Sequence, residues 1–331
     1  MRYLHFKNKN ILITGGLGFI GSNLAKILVS VGANVTIMDS LLPNYGGNLY
    51  NIQGISERLS IHILDVRDSP SLKKLLPKQD YLFNLAGQTS HLDSMSDPMT
   101  DIDINAVSQL SILECCKDFN PDIKIIFAST RQLYGRPKYL PVDEAHPIKP
   151  VDVNGINKWA GEAYHTLYYE VYGIRSCSLR LTNTYGPNMR IKDARQTFLG
   201  IWFKNLLENK ELAIYGDGNQ LRDFNYIDDV LHAILLAAET DMTNGKVYNL
   251  GSEEVISLKD LASMMINFRE GAKFRIIDFP EDRKKIDIGD YYSDFKKIKA
   301  TLGWTPETSL LSGLSSTYQY FLANYDHYVE T

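Results

Sequence analysis

The residues Gly15-Gly16-Leu17-Gly18-Phe19-Ile20-Gly21 directly follow an apolar run, Ile11 to Thr14, and open a stretch of helical period. Glycines at 15, 18 and 21 allow a tight turn, close approach of the backbone to a diphosphate, and close packing of a helix on a strand. The unpaired amides at the start of that helix, around Phe19 and Ile20, favour an anion. A second apolar run, Val35 to Met38, ends in Asp39, 18 positions beyond Gly21. A carboxylate there accepts hydrogen bonds from an adenosine ribose and repels a 2′-phosphate, so the two features together point to NAD rather than NADP.

Such a turn needs a strand before it and a helix after it. Short β-branched runs recur at Ile11 to Thr14, Val35 to Met38, Leu59 to Leu64, Tyr81 to Leu85, Lys124 to Ala128 and Ser176 to Leu181, with longer stretches of helical period between them. That alternation predicts right-handed crossovers and an α/β fold, a Rossmann-type doubly wound parallel sheet covered on both faces. After about Leu181, turn-rich segments such as Tyr185-Gly186-Pro187-Asn188 break up the apolar runs. This predicts a dinucleotide-binding domain over 1–181 and a smaller C-terminal, substrate-binding domain over 182–331. A helix and an apolar strand (Val247 to Leu250) within about 225–251 are expected to return to the first sheet. Val107, Leu110, Leu113 and Cys116 fall at helical spacing, as do Trp159, Ala163, Leu167 and Tyr168, and predict a two-helix interaction face.

The composition excludes several other classes. A chain of 331 residues with 44% hydrophobic and 22% charged residues is globular and long enough for a sizeable core. Its net charge of −4, without any Lys/Arg run, gives a nucleic-acid partner no electrostatic support. Cys115 and Cys116 are adjacent, Cys177 stands alone, and no C-x-x-C occurs, so neither a disulfide framework nor a metal site is expected. The N-terminus MRYLHFKNKN lacks an apolar signal core, and no stretch of 18 apolar residues follows. The expectation is a cytoplasmic protein without a membrane span.

Further motifs follow the same strands. Asp65-Val66-Arg67-Asp68 comes after the third, Asn84-Leu85-Ala86-Gly87-Gln88 after the fourth, and Asn105 heads the string NAVSQLSILEC. Ser129-Thr130 ends the fifth run, Lys158 lies in the next helix, and RLTNTYGP (Arg180 to Pro187) and Arg222-Asp223-Phe224 lie downstream. With these residues the chain resembles, nearly end to end, the nucleotide-sugar epimerase/dehydratase family of extended short-chain dehydrogenases/reductases. The resemblance implies that Asp65 and Val66 contact adenine, and that Leu85, Ala86, Gly87 and Asn105 lie beside the cofactor ribose and nicotinamide. It implies that Thr130 polarises the sugar and that Lys158 binds the nicotinamide ribose. It implies a nucleoside-diphospho-sugar substrate held by Gln88, Asn183 and Arg222, with Arg283 and Lys284 near the second phosphate, and a homodimer formed through paired helices. Two of these residues have a plainer reading: Arg222 as an ion-pair partner of Asp228 or Asp229, and Asn183 as a turn former.

The chain departs from the family at the reacting centre. There a tyrosine four residues before the lysine takes the sugar hydroxyl proton; here that position is Asn154, and an amide is no base near neutral pH. Family dehydratases follow the Ser-Thr pair with Asp-Glu, whereas this chain has Arg131-Gln132. Elimination lacks its acid, so the expected reaction is epimerisation through transient oxidation of the sugar. The alternatives are an atypical dehydratase or oxidoreductase, and a non-catalytic binder of NAD and sugar nucleotide. His91, in the loop after the fourth strand, titrates in the useful range and is the candidate base, against a purely hydrogen-bonding histidine. Arg131 either binds a substrate oxygen or carboxylate or pairs with Asp143 or Glu144. Asn154 is read as positioning the substrate or ribose through its amide or as capping its helix, and the two readings are compatible.

Overall fold

In a computed structural model of the chain, which describes residues 2–193, 195 and 197–329, the six apolar runs become strands. They are β1 (Asn10–Thr14), β2 (Asn34–Asp39), β3 (Leu59–Ile63), β4 (Tyr81–Asn84), β5 (Lys124–Thr130) and β6 (Arg175–Leu181). Downstream come β7 (Asn183–Tyr185), β8 (Leu212–Tyr215), β9 (Leu221–Tyr226), β10 (Lys246–Asn249), β11 (Val255–Ser257) and β12 (Phe274–Ile277). The main sheet has the order β10-β6-β5-β4-β1-β2-β3, and all its pairings are parallel. Strand order reverses between β1 and β4, and in such sheets the crevice beyond the carboxyl ends at the reversal receives the ligand.

Alternate residues of each strand enter different cores, as the pleat dictates. Ile11 and Ile13 join the cluster containing Leu24, Leu28, Val230 and Ile234, whereas Leu12 joins the one containing Leu72, Ile112, Leu113 and Ile174. The first cluster is covered by α1 (Phe19–Ser30), and the second by α2 (Ser69–Leu75). Next in the chain are α3 (His91–Ser96), α4 (Pro98–Ile102), α5 (Ser108–Phe119), α6 (Val153–Tyr172), α7 (Phe198–Leu207), α8 (Ile227–Glu239), α9 (Leu258–Ile266) and the short α10 (Glu281–Lys285). Of these, α5 and α6 complete the second face and α8 the first. The apolar strand at Val247 adds to the sheet as β10, beside β6. Smaller sheets, β11-β9-β7 and β12-β8, lie downstream.

Two local features shape the site. One π-wound turn, Asp103–Val107, interrupts the rod from α4 to α5, a distortion that is common where a helix must present a residue off its regular face. Helix α6 starts at Asp152, whose Oδ1 accepts the Gly155 amide at 2.7 Å, and stops at Gly173 in the left-handed region (φ 73°). The capping reading of Asn154 is thereby corrected: Asp152 is the cap, and Asn154 lies inside the first turn. The expected stripe Val107, Leu110, Leu113, Cys116 also divides. Steps of three on a 3.6-residue helix drift around the axis, so Val107 and Leu110 face outward while Leu113 and Cys116 are buried.

Candidate functional site

A narrow groove of about 150 Å³ beyond β1, β2 and β4 opens into a cavity of about 460 Å³ beyond β5 and β6, and Phe19, Ile20, Leu85, Gly87 and Thr89 line both. Gly15, Gly18, Gly21, Asp39, Asp65, Val66 and Ala86 line the groove. Gly15 has φ 69°, and a Cβ there would stand 2.9 Å from the Ala86 nitrogen; a Cβ on Gly21 would collide with the Gly15 carbonyl oxygen. Only glycine fits at either place. The cap of α1, Gly18, offers no side-chain acceptor to the first-turn amides, which leaves them for an anion.

Asp39 ends β2 with its carboxylate fixed: Oδ2 accepts the Leu17 amide at 3.0 Å and Oδ1 the Leu41 amide at 2.9 Å. Burial raises its pKa above the ordinary value, against those amide bonds. Asp65 is held by Arg67, which donates Nη2 at 2.7 Å and keeps the carboxyl below the usual range. Asn105, expected beside the cofactor, does not line the groove. It is fully buried in the π turn and donates Nδ2 to the Gln88 carbonyl at 2.9 Å, supporting the loop from behind.

Thr130, His91, Arg131, Asn154 and Lys158 all line the larger cavity. Ser129 is spent in the core, donating to Glu162 Oε2 at 2.6 Å. Thr130 Oγ1 accepts the Gln132 amide at 3.2 Å and keeps its proton to donate. The Lys158 ammonium lies 4.4 Å over the Phe127 ring, and burial lowers its pKa to about 8 against the upward pull of Asp101 and Glu162.

His91 proves to be the first residue of α3, after the cap Ser90, rather than a loop residue. Its Nδ1 stands 3.0 Å from Oδ2 of the fully buried Asp152, an ion-pair contact rather than an aligned hydrogen bond. Burial alone would raise the Asp152 carboxyl; the contacts from His91, Gly155 and Gln132 outweigh it and lower the pKa. Asn154 donates Nδ2 to the Gln88 carbonyl at 2.8 Å and to Asp101 Oδ2 at 3.1 Å. Asp101 is fully buried and also accepts Asn157 Nδ2 at 2.8 Å on its other oxygen. Neither Asp152 nor Asp101 was singled out from the sequence. The D-x-x-G cap pattern marks the first; nothing in the sequence marks the second.

Gln88, Asn183, Arg222 and Arg283 line the same cavity. Asn183 accepts from Arg131 Nη2 at 2.8 Å and donates to the Asp223 carbonyl at 2.9 Å, leaving one amide hydrogen for a ligand. Arg131 therefore pairs with Asn183, not with Asp143 or Glu144; Asp143 takes the Tyr139 hydroxyl and Glu144 the Asn249 amide. Arg222 likewise does not pair with Asp228 or Asp229. Its Nη1 donates to the carbonyls of Leu221 and Gly289, and Asp287 stands 3.9 Å from Nη2. The Arg283 guanidinium stacks over Tyr215 at 5.4 Å. Lys284 is exposed, 4.0 Å from Glu281, and does not line the cavity.

A family model described as GDP-mannose 4,6 dehydratase matches residues 12–317. The chain belongs to the nucleotide-sugar epimerase/dehydratase family. One relative, a putative UDP-glucose 4-epimerase of Methanocaldococcus jannaschii, is 36% identical over 309 residues, covering 92% of this chain and 95% of the relative. Among solved structures, the UDP-glucose 4-epimerase of Thermotoga maritima with UDP-glucose superposes with a TM-score of 0.86 at 29% identity, over 96% of this chain and 99% of that one. The Thermus thermophilus UDP-glucose 4-epimerase in complex with NAD gives 0.83 at 26%, over 94% and 98%. Within this family the groove residues fit a dinucleotide: a glycine cradle that a Cβ would fill, uncapped amides and a fixed carboxylate at the end of β2. Among the described residues no group of three or more His, Cys, Asp or Glu side chains could hold a metal, and no helix is long and apolar enough to cross a membrane.

Proposed function

We propose that the chain is an NAD-dependent epimerase acting on the sugar of a nucleoside-diphospho-sugar. One observation carries this reading: Thr130, Lys158 and a carboxylate-backed His91 share one cavity, while the residues after Thr130 are Arg131 and Gln132, neither an acid. Groups for reversible oxidation are present, and the carboxylic acid for elimination is not. Gln132 is moreover committed to Asp152, donating Nε2 to Oδ2 at 2.7 Å.

In the groove, the amides of the glycine turn and of α1 would hold the cofactor diphosphate and Asp39 the adenosine ribose. When bound, NAD supplies reversible hydride acceptance. The Thr130 hydroxyl donates to the reacting sugar oxygen. The Asp152 carboxylate, close to Nδ1 of His91, favours the proton on that nitrogen by its charge and leaves Nε2 to take the hydroxyl proton. Lys158 adds a positive charge beside the reacting centre, and Arg222 and Arg283 meet the substrate diphosphate.

Incubation with a panel of UDP-, dTDP-, CDP- and GDP-sugars tests the reading. The expected result is a small transient NADH absorbance and a stereoisomeric product in the NMR spectrum. A dehydrated keto-sugar product would overturn it in favour of an atypical dehydratase. Tight binding of NAD and of a sugar nucleotide without any turnover would overturn it in favour of a non-catalytic binder.

A further inference from the structure

Arg131 carries a buried hydrogen-bond donor without a partner among the described residues. Its guanidinium lies 5.0 Å over the Tyr291 ring, and Nη2 donates to Asn183 Oδ1. Nη1 is buried with no hydrogen-bond partner among the described residues, although the side chain as a whole borders the cavity. Ring and amide together fix the plane of the guanidinium. Buried guanidinium N–H groups are nearly always satisfied, so an unpartnered donor in a rigidly held side chain that borders the cavity points to a ligand oxygen.

Charge matching around the cavity indicates which oxygen. A nucleoside diphosphate brings its negative charge to Arg222 and Arg283. The nearby carboxylates have other work: Asp223 takes the Thr182 hydroxyl and the Ser293 amide, and Asp287 stands by Arg222. Arg131 directly follows Thr130, the hydroxyl assigned to the sugar, and although Asp223 and Asp287 act on its charge through space, neither reaches it as an ion pair or hydrogen bond. Burial lowers its pKa, and burial together with the nearby Arg131 charge lowers that of Arg222.

We infer that the substrate's sugar bears a carboxylate, received by Nη1 of Arg131, so that the protein acts on an acidic rather than a neutral sugar nucleotide. This rests on the reading of the cavity as a nucleoside-diphospho-sugar site. A planar guanidinium suits a carboxylate oxygen, and the charge-assisted bond is stronger than one to a neutral hydroxyl.

The test uses calorimetry on the NAD-loaded protein. UDP, dTDP, CDP and GDP are compared first, and the best-bound nucleotide becomes the carrier for a matched pair of sugars, a hexuronate and the corresponding hexose. The acidic member is expected to bind about 10- to 100-fold more tightly. Arg131→Gln should abolish that gap while leaving the affinity for the bare nucleoside diphosphate unchanged, and Arg131→Lys should retain part of it. Equal binding of the two sugars by the wild type overturns the inference, whatever the variants do. A loss by Arg131→Gln that is equally large for the bare nucleotide overturns it too, and assigns Arg131 to the diphosphate. Binding of none of the four nucleotides refutes the sugar-nucleotide reading itself, and this inference with it.

Discussion

His91 Nδ1 stands 3.0 Å from Asp152 Oδ2, so a cavity-lining side chain that is 41% exposed is backed by a carboxylate with no exposure at all. The arrangement fixes one nitrogen of the imidazole and frees the other. His91→Asn is expected to lower turnover by about 10²- to 10⁴-fold, the usual loss for a general base, with affinities for NAD and substrate retained. Turnover within threefold of wild type would remove His91 from the proton path.

Asp39 should set the cofactor preference through its charge. Asp39→Asn keeps an oxygen for one of the two backbone amides while removing the negative charge. The wild type is expected to favour NAD over NADP, and the variant to narrow the preference by about tenfold or more. Titration of both proteins with both cofactors checks this, and a preference unchanged in Asp39→Asn would show that the charge is not the discriminator.

Lys158 imposes a cost on the unliganded fold. Its pKa in the folded chain is about 8, below the ordinary 10.5, so the unfolded chain holds the proton more tightly. The cost is fully present below pH 8 and fades as pH rises to about 10.5. Lys158→Met should therefore stabilise the apoprotein at pH 7, by about 3 kcal/mol at most, and make little difference near pH 10.5. Thermal melts at the two pH values measure it. A variant less stable than wild type at pH 7 would show that the lysine's contacts outweigh its desolvation.

The exposed apolar residues of the π turn, α5 and α6 predict a two-fold contact. Val107, Leu110, Ile156, Trp159, Leu167 and Val171 are each more than a third exposed and lie on neighbouring helices. We expect a homodimer that buries them against their own copies. Light scattering at micromolar concentration should give twice the chain mass, and Trp159→Glu with Leu167→Glu should give the monomer. A wild type of single-chain mass would refute it.

How much of this was legible depended on whether a residue answers to its own neighbours or to distant ones. Gly15, Gly21 and Asp39 are dictated by a strand end and the turn beyond it, so spacing alone exposed them. Thr130 and Lys158 were marked by the family resemblance, each at a fixed place on its strand or helix. The partnership of His91 with Asp152 was not legible, because it depends on how α3 meets the start of α6 across the cavity. Arg131 could not be assigned either: Asp143 and Glu144 lie near it in sequence, but Asn183 and Tyr291 lie near it in space. Asp101 had no signal at all, since TDID reads as an ordinary polar helix start, and only the fold turns one of its two carboxylates inward.

That inward carboxylate bears on the order in which this site's sequence can change. Asn154 and Asn157 tie α6 to Asp101 on α4, so positions 154 and 101 form a coupled pair. Asn154→Tyr alone would strip an amide from Asp101 and from the Gln88 carbonyl, leaving buried acceptors with less to hold them. Asp101 changed alone would leave two buried amides facing the gap. A lineage moving between the tyrosine and asparagine forms must therefore alter both positions close together, or cross an intermediate less stable than either end.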